Sequence, residues 1–416
     1  MAPEMDELNK RRVERQLRRQ KAVAMKKRKR TMTMLLVIAL MIAGGVGLFF
    51  LLRAEEEKAP DQEQVTAATN AVSADATVIH LVAAGDVNVS DTIVGSGGME
   101  YDYTETFLDI AHLLAEGDIT VVNFEGNLTG SPYGSASHSA PQNLMEQLSR
   151  SGVDLVQLAN SYSINQGISG LQATIRGVKE AGMEALGVYG DEKAFKAGKG
   201  YTIRDVQGVR IAFVAFTKGM DGMTLPQGSE HCVNVLYKDY DSTYQNVDRD
   251  AINRIMDNVE AEKPDLTVVM LHWGSEYNDT ISKTQESIVE LFRDRGADAI
   301  IGTHPHYVQK MSYDPETGFF IAYSLGDLLS DGQRSGTEYS VILKLDIAKE
   351  NGTTKITGYS YTPIFTAAER GGTLKSLRIA EAMGAYEDNY ILRVQEATYN
   401  AMIYALERIE ARTKGE

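Results

Sequence analysis

The chain has 416 residues, of which 43% are hydrophobic and 24% are charged, and its formal net charge is −15 at pH 7. A chain of this size can bury the core of one large domain or of two modest ones. Its single cysteine, Cys232, excludes an intrachain disulfide and a thiolate metal cluster. Any metal site must therefore be built from His, Asp, Glu and Asn side chains.

Charge is unevenly distributed along the chain. Residues 1–53 contain thirteen Lys or Arg and four acidic residues, so the residues that follow carry a net charge of −24. Nucleic acid and other polyanions that bind by counterion release require a basic face, which this acidic part does not offer. We therefore expect no nucleic-acid partner.

A hydrophobic segment near the N-terminus predicts a membrane anchor. Residues 34–52, MLLVIALMIAGGVGLFFLL, contain no charge, and as a helix rising about 1.5 Å per residue they come close to the roughly 30 Å hydrocarbon core. Twelve Lys or Arg precede this segment and three Glu follow at 55–57, which favours a basic cytoplasmic tail at 1–33 and an extracellular C-terminal part. A cleaved signal peptide is the alternative, but the apolar run is long and LFFLLRAEEE has no small-x-small cleavage site. We expect a single-pass protein of the cell membrane, with the lipid bilayer as a partner.

The rest of the chain predicts an α/β domain. Residues 53–76 have no sustained apolar period, as is typical of a solvated linker. Short continuous apolar runs then predict buried strands at 78–86, 119–126, 153–160, 209–217, 266–274, 297–306 and 319–327. Helical patterns lie between them at 103–114, 171–181, 248–262 and 284–295. This alternation indicates parallel strands joined by helical crossovers.

The last third of the chain has a different pattern. Residues 338–348 and 354–362 alternate apolar and polar side chains, which predicts half-exposed antiparallel strands that close the domain at its edge. Residues 389–409 have an amphipathic helical pattern. We therefore predict a domain at 77–370 and a C-terminal helical extension at 371–416.

Polar side chains follow the predicted strands at the points where the strands end. In a parallel α/β domain such positions meet in one crevice, so these residues are candidates for a common site. They are Asp86, Asn88, Asn123, Glu125, Asn160, His272, His304 and His306. Carboxylate and imidazole groups bind Zn²⁺, Mn²⁺ or Fe²⁺ without thiolates, and two ions about 3.5–4 Å apart can clamp a phosphoryl-type oxygen. The pattern predicts two divalent ions whose identity stays open.

Each of these residues also has a structural interpretation. An Asp that follows a strand, such as Asp86, is often a turn or helix-cap residue, and His272 could be a packed core histidine. His138 is interpreted as a loop residue that could alternatively reach the crevice. The remaining histidines are interpreted as structural or exposed: His80, His112 and His231.

Five segments, in order along the chain, resemble the motifs of a known family. They are AAGDVNVS at 83–90, VVNFEGNLT at 121–129, LHWGSEY at 271–277, IGTHPHYVQ at 301–309 and YSLGDLLSD at 323–331. They resemble the bacterial capsule-synthesis CapA family, known for poly-γ-glutamate production, over roughly residues 77–330. The resemblance implies the fold of the calcineurin-like metallophosphoesterase superfamily, a two-sheet αββα sandwich with a dinuclear metal site.

The resemblance also implies the site residues. It implies as metal ligands Asp86, Glu125, His272, His304 and His306, with Asn88 where related phosphoesterases often place a histidine. The family's usual third motif is Asn-Asn-His-x-x-Asp, and this chain has NSYSIN at 160–165. Asp327 in YSLGD also replaces the more usual asparagine.

The departures in the third motif affect both binding and catalysis. Ser161 replaces the ligand asparagine, so Asn160 is the alternative metal ligand. Tyr162 replaces the histidine that would donate a proton, and Asn165 replaces the aspartate, which makes these two the catalytic candidates. A tyrosine can donate a proton but is a weaker acid than imidazolium near neutral pH. An altered or silent metal site is therefore one of the interpretations that the sequence leaves open.

Three functions agree with these features. The preferred one is a membrane-anchored factor in the synthesis or export of an anionic capsule polymer such as poly-γ-glutamate, with a membrane-bound polymer ligase and a small membrane subunit as partners. The second is an exported metal-dependent hydrolase that acts on a phosphoester or on envelope material. The third is a binding module with a degenerate metal site. The acidic charge disfavours a long electrostatic contact with the polymer unless metal ions mediate it.

Overall fold

The structure, a computed structural model, describes residues 65–69, 73, 75–369, 372–387 and 394–415. The predicted cytoplasmic tail, the predicted transmembrane segment at 34–52 and residues 53–64 of the predicted linker lie outside these ranges. No helix in the described ranges is long and apolar enough to cross a membrane.

The described residues form strands and helices that alternate through most of the chain. The strands are β1 (Val65–Thr69), β2 (Thr77–Asn88), β3 (Ile119–Glu125), β4 (Leu155–Gln157), β5 (Glu184–Leu186), β6 (Thr202–Val206), β7 (Val209–Thr217), β8 (Leu266–His272), β9 (Ala299–Thr303), β10 (Met311–Tyr313), β11 (Phe320–Ala322), β12 (Asp327–Leu329), β13 (Tyr339–Glu350), β14 (Thr353–Ala368) and β15 (Leu374–Arg378). The helices are α1 (Asp91–Ser96), α2 (Thr104–Phe107), α3 (Ala111–Ala115), α4 (Gln142–Arg150), α5 (Gly167–Glu180), α6 (Glu192–Gly198), α7 (Arg249–Glu262), α8 (Lys283–Asp294), α9 (Ile379–Glu387) and α10 (Glu396–Lys414).

The strands build two sheets. The first has the order β1-β14-β13-β2-β3-β4-β5, with β12 beside β2 and β15 beside β14, and the second has the order β10-β11-β9-β8-β7-β6. Strands β2 to β5 run parallel, as do β7, β8, β9 and β11, whereas β13 and β14 are antiparallel to their neighbours. The carboxyl ends of the parallel strands therefore point to one edge of each sheet.

The two sheets pack face to face, and helices cover their outer faces. Leu81 and Val121 of the first sheet share a buried core with Phe213, Val268 and Ile301 of the second. A separate buried cluster joins the first sheet to α1 through α5, and another joins the second sheet to α7 and α8. This arrangement is an α/β two-sheet sandwich with the layer order αββα, as expected.

The helices follow the predicted patterns with small changes at their ends. Asp248 accepts a hydrogen bond at the start of α7, and Ser282 and Gln285 form a capping box at the start of α8. Residues 103–114 form α2 and α3 rather than one helix. Phe107 and Ile110, which lie next to the break, are fully buried. Residues 319–327 likewise divide between β11 and β12, which join different sheets.

Three predictions about the ends of the domain were wrong in part. Strand β1 lies inside the predicted linker and pairs with β14. Backbone pairing requires no apolar period, so the composition of residues 65–69 did not indicate it. Strands β13 and β14 are antiparallel as predicted, but they lie inside the sheet because β13 pairs with β2, and β14 with β1 and β15. The predicted helical extension at 371–416 includes β15, and its helices bury Met402, Ala405 and Ile409 in the core between the sheets.

Four aspartates hold the amino ends of the parallel strands in register. Each directly precedes a strand, and its carboxylate accepts a hydrogen bond from a backbone N–H of the neighbouring strand. The pairs are Asp118 with His80 at 2.8 Å, Asp154 with Thr120 at 2.8 Å, Asp265 with Arg210 at 2.8 Å and Asp298 with Thr267 at 2.7 Å. The same bond thus sets the stagger of both sheets at the edge opposite the candidate site residues.

One of these aspartates predicts a pH dependence of stability. Burial raises the pKa of the Asp298 carboxyl from 3.8 to about 6, although the Thr267 N–H opposes this. A pKa raised by folding means that stability is lost as the pH rises from about 4 through about 6. Asp298→Asn stays neutral and its side-chain oxygen can accept the same bond. In urea unfolding of the metal-free chain we expect the variant to match the wild type near pH 4 and to exceed it by about 1–2 kcal/mol at pH 8. Parallel pH profiles of the two proteins would contradict this.

Candidate metal centre

The carboxyl ends of four parallel strands bring the candidate ligands together. Strand β2 carries Asp86 near its end, β3 ends at Glu125, and β8 ends at His272. His304 and His306 follow β9 directly. Because the first two strands belong to one sheet and the last two to the other, the site lies where the edges of both sheets meet. The crevice predicted from strand ends is therefore present.

The side chains form two adjacent groups, each of which could hold one metal ion. In each group the candidate ligand atoms lie within 4.8 Å of one another, and all six residues are buried. The groups are Glu125 with His272 and His304, and Asp86 with His306 and Asp327. The His304 backbone N–H donates to Asp86 Oδ2 at 3.1 Å, which joins one group to the other.

Asparagine side chains hold the carboxylates between the groups. Asn123 Nδ2 donates to Asp86 Oδ1 at 2.7 Å and lies 3.2 Å from Glu125 Oε1. Asn88, predicted as a ligand, lines the site and hydrogen-bonds the Asp327 carboxylate. Both amides therefore orient ligand oxygens that a metal ion would use.

Asp327 is a candidate ligand that the sequence prediction did not include. Strand β12 pairs with β2 so that Asp327 lies opposite Asp86. The two strands approach closely at Gly85 and Gly326. A Cβ on Gly85 would lie only 1.8 Å from the Gly326 carbonyl oxygen, so this approach requires glycine. The signal in the sequence was the aspartate that ends YSLGD, but the pairing that brings it to Asp86 joins strands far apart in the chain.

Unpartnered nitrogens and crowded carboxylates show that these residues fit a divalent cation. Both ring nitrogens of His304 are buried and have no hydrogen-bond partner among the described residues. Burial lowers the pKa of His304 and of His272 well below the usual value, so both imidazoles are neutral, the form that binds metal. Burial and mutual repulsion raise the pKa of Asp86 to about 7 and that of Glu125 well above its usual value. A cation in this space would replace the protons that these carboxyls otherwise keep.

The backbone of the His304-Pro305-His306 segment is held in an uncommon conformation. His304 has φ 92° and His306 has φ 58°, both in the left-handed region that non-glycine residues rarely adopt. Such conformations cost of order 1–3 kcal/mol each and persist where surrounding contacts enforce them. Here they direct the two imidazoles into different groups, which explains how a single short segment serves both.

His306 has the strongest local contacts of the three candidate histidines. Its Nδ1 lies 2.8 Å from Asp327 Oδ1 and 3.5 Å from Asp86 Oδ2, and its ring stacks on Tyr277 at a centroid distance of 5.2 Å. Burial alone would lower the pKa of His306, but Asp327, Glu125 and Asp86 outweigh it and raise the pKa well above its usual value.

The asparagine of the third motif, Asn160, is held by hydrogen bonds next to the two groups. Asn160 donates to Asn123 Oδ1 at 3.1 Å and to the Phe124 carbonyl at 2.6 Å, and its Oδ1 accepts from the Tyr162 N–H at 3.0 Å. The amide group thus supports the loop, while Asn160 Oδ1 has a second lone pair, so Asn160 as a metal ligand stays a prediction. Ser161 is closer to the ligands, because its N–H and its hydroxyl lie 3.2 and 3.1 Å from Nε2 of His272.

The two catalytic candidates lie in different surroundings. Tyr162 lines the cavity over the site, and its ring stacks on His138 at a centroid distance of 4.1 Å. Burial raises the pKa of Tyr162 well above its usual value, and Glu125 adds to this effect, so its hydroxyl stays protonated. Asn165 is not among the cavity residues, and its Oδ1 accepts from Gln166 Nε2 at 3.0 Å. The tight turns after Asn160 thus place Asn165 outside the cavity lining, and its catalytic role stays a prediction.

The cavity over the two groups has a volume of about 400 Å³. Glu125, His306 and Asp327 reach it from below, while His138, Tyr162 and Arg334 are among the residues of its walls. His138 therefore reaches the crevice, the alternative interpretation of that residue. A small polar substrate group could enter this space and contact both candidate ion positions.

The other histidines and Trp273 lie outside the two groups. His80 lies 2.9 Å from the Asp346 carboxylate within the first sheet, and His112 is exposed on α3. His231 lines a separate cavity beside α7. Trp273 is fully buried and donates from Nε1 to the Tyr323 carbonyl at 2.9 Å, which supports its interpretation as a packing residue.

Comparison with known proteins gives the family. The family described as bacterial capsule synthesis protein PGA_cap matches residues 80–332. The chain belongs to this family. The match confirms the resemblance drawn from the five motifs, and the PGA_cap region contains all six residues of the two ligand groups.

Two curated relatives of the PGA_cap chain are bacterial capsule proteins. The capsule biosynthesis protein CapA of Bacillus anthracis is 30% identical over 220 residues, which cover 52% of this chain and 49% of that protein. The PGA biosynthesis protein CapA of Bacillus subtilis (strain 168) is 27% identical over 216 residues, which cover 50% of this chain and 49% of that protein. The chain thus spans about half the length of the curated relatives it matches.

Two solved structures match at lower identity. The calcineurin-like phosphoesterase YfkN of Bacillus subtilis is 13% identical with a TM-score of 0.41, over 80% of this chain and 99% of that chain. A hypothetical protein of Thermus thermophilus is 15% identical with a TM-score of 0.41, over 68% of this chain and 98% of that chain.

Proposed function

We propose that this chain is a membrane-anchored, extracytoplasmic factor in the synthesis or export of an anionic capsule polymer such as poly-γ-glutamate, and that it acts through two divalent ions. One observation carries the proposal: the part of the chain that belongs to the PGA_cap family contains two buried, adjacent groups of side chains that could each hold a metal ion. The apolar segment at 34–52 with its basic flank supports the membrane location.

The residues of the site have distinct tasks in this proposal. Glu125, His272 and His304 would hold one ion, and Asp86, His306 and Asp327 the other. When bound, two divalent ions supply Lewis acidity next to one substrate oxygen. Asn88 and Asn123 orient the carboxylates, and Tyr162 offers a neutral hydroxyl at the cavity wall. The side chains around the cavity bind and position the substrate group.

The acidic character of the chain makes ions necessary for this function. The residues after 53 carry a net charge of −24, which repels a polyanion at long range. Four positive charges from two divalent ions would create a local site of opposite sign. The proposed partners are a membrane-bound polymer ligase and a small membrane subunit, and co-purification with the full chain tests them.

Polymer production in a deletion strain tests the proposal. We expect loss of cell-bound and released polymer on deletion, restoration by the wild-type chain, and no restoration by Asp86→Ala at equal protein level. Asp294→Ala is the matched control, because Asp294 is exposed at the end of α8 and should restore production. Normal polymer in the deletion strain would refute the proposed function.

A metal-dependent phosphoesterase or other hydrolase acting on envelope material is the second candidate function. The observation that favours it is the cavity of about 400 Å³ that opens onto both ligand groups. The neutral Tyr162 in place of a histidine predicts slow turnover, because its pKa is raised far from the working pH. Hydrolysis of a simple phosphodiester by the wild type, abolished in His304→Ala, would favour this function. Absence of bound metal in the wild type would instead favour a binding module with a degenerate site.

A further inference from the structure

We propose that Arg334 is the substrate-recognition residue of the site, and that it binds a carboxylate of an anionic chain whose neighbouring unit lies over the two ligand groups. This inference rests on the proposed function, whose substrate class it specifies. Arg334 lies beyond the part that matches the family, which ends at residue 332.

The position of Arg334 suits an anion that also reaches the ligand groups. Its guanidinium lies over the ring of Tyr277 at 4.1 Å, and Tyr277 in turn stacks on His306 at 5.2 Å. One aromatic ring therefore separates the cation from a candidate metal ligand. The stacking leaves the N–H groups at the guanidinium edge free to face the cavity.

Charge in the cavity points to the same residue. Among the described residues that line it, Arg334 is the only Lys or Arg, whereas Glu125, Glu276, Asp327 and Asp331 are acidic. The described ion pairs include none with Arg334, although its carbonyl accepts hydrogen bonds from Thr337. An exposed arginine that is stacked but not paired retains its capacity to bind an incoming carboxylate.

The loop that carries Arg334 is held on both sides. Ser330 and Thr337 lie with their hydroxyl oxygens 2.7 Å apart at its base, and the Tyr307 hydroxyl donates to the Ser335 carbonyl at 2.8 Å. The buried Arg412 of α10 stacks on Tyr307 at 4.5 Å. The C-terminal helix thus braces the backbone of the loop, which lowers the entropic cost of ordering the loop when a ligand binds.

The chemistry of the cavity indicates the class of ligand. The planar fork of an arginine matches a planar carboxylate with two parallel hydrogen bonds. A polymer with a carboxylate on every unit offers one such group to Arg334 while an adjacent unit lies at the ligand groups. Since the cavity is acidic around this single arginine, binding of the chain requires bound metal ions as well.

Binding of a short γ-linked glutamate trimer to the full chain in detergent with Mn²⁺ tests the inference. We expect Arg334→Ala to weaken binding of the trimer by about 5- to 30-fold, as for loss of a charge-assisted pair at an exposed site. Arg334→Lys keeps the positive charge but lacks the planar pair of N–H donors, so its affinity for the trimer should lie between those of the wild type and Arg334→Ala. The same trimer with α-carboxamides should bind weakly to all three proteins.

The control is Arg176→Ala, which removes an exposed arginine of α5 outside the cavity and should bind like the wild type. Metal content of Arg334→Ala should equal that of the wild type, because Arg334 is not in either ligand group. The inference is overturned if the wild type does not bind the trimer or if Arg334→Ala binds it as tightly as the wild type. It is also overturned if Arg334→Ala weakens binding of inorganic phosphate but not binding of the trimer. Because these are binding measurements on purified protein, normal polymer in a deletion strain would refute the proposed function without changing them.

Discussion

Replacement of His304 by alanine is expected to lower the metal content of the purified chain from two ions to one and to leave the fold intact. Both ring nitrogens of His304 are buried without a hydrogen-bond partner among the described residues, so their removal breaks no bond of the metal-free protein. The backbone N–H that donates to Asp86 is kept in the variant. Loss of one of three protein ligands should lower the affinity for that ion by about 100-fold or more. Loss of a residue that only hydrogen-bonds a ligand typically lowers metal affinity by about 10- to 100-fold.

Elemental analysis and thermal unfolding, each with and without chelator, measure this result. In the wild type, chelation should lower the unfolding temperature, because ions that bind only the folded chain stabilise it by mass action. In His304→Ala the chelator effect should shrink, and the chelated proteins should unfold at similar temperatures. His112→Ala, which removes an exposed histidine of α3, is the matched control. Two ions per chain in His304→Ala would exclude the proposed ligand group.

Replacement of Gly302 by alanine is expected to destabilise the domain by about 2–5 kcal/mol. A Cβ at this position would lie 1.9 Å from the Tyr323 carbonyl oxygen and 2.6 Å from Nε1 of Trp273. The added methyl group would therefore force apart the buried hydrogen bond between those two residues. Overpacking of a core and loss of a buried bond each cost about 1–3 kcal/mol. Because His304 follows two residues later, metal affinity should fall in the same variant.

The matched control for this substitution is Gly95→Ala. A Cβ on Gly95 meets no atom within 4 Å, and the residue lies in helix α1. Exchange of glycine for alanine in a helix with open space should raise stability by about 0.5–1 kcal/mol. A lower urea midpoint for Gly302→Ala and a higher one for Gly95→Ala, each relative to the wild type, would support both predictions. A Gly302→Ala protein as stable as the wild type would show that β9 and β11 can move apart at no cost.

The sequence could place most of the candidate ligands together because these residues follow strands. Glu125 and His272 end continuous apolar runs, and His304 and His306 come soon after another, so parallel strands alone bring them to one edge. Asp327 could not be placed in this way, since its position depends on the pairing of β12 with β2. That pairing depends on two glycines in close contact, which no periodicity reveals.

The third motif and the edge strand β1 show a second kind of feature that sequence patterns do not predict. Asn160 and Asn165 have the residue type of ligands or catalytic groups, but the turn between them decides where each side chain points. Strand β1 was assigned to a linker because its pairing with β14 is made by backbone groups. In both cases the decisive interaction is a backbone hydrogen bond, and side-chain composition carries little information about it.

The aspartates that hold the amino ends of the strands have a consequence for how this site can change over time. Asp118 and Asp154 set the stagger in the first sheet, and Asp265 and Asp298 do so in the second. The stagger of the strands that carry the candidate ligands is therefore set at the far edge of the sheets, away from the loops that line the cavity. A change of side chains in the loop at 160–165 would therefore leave this stagger unchanged, although Ser161 contacts His272 directly. The scaffold in this way separates the positions of the strand ends from the side chains that the loops offer to the cavity, and the two can diverge independently.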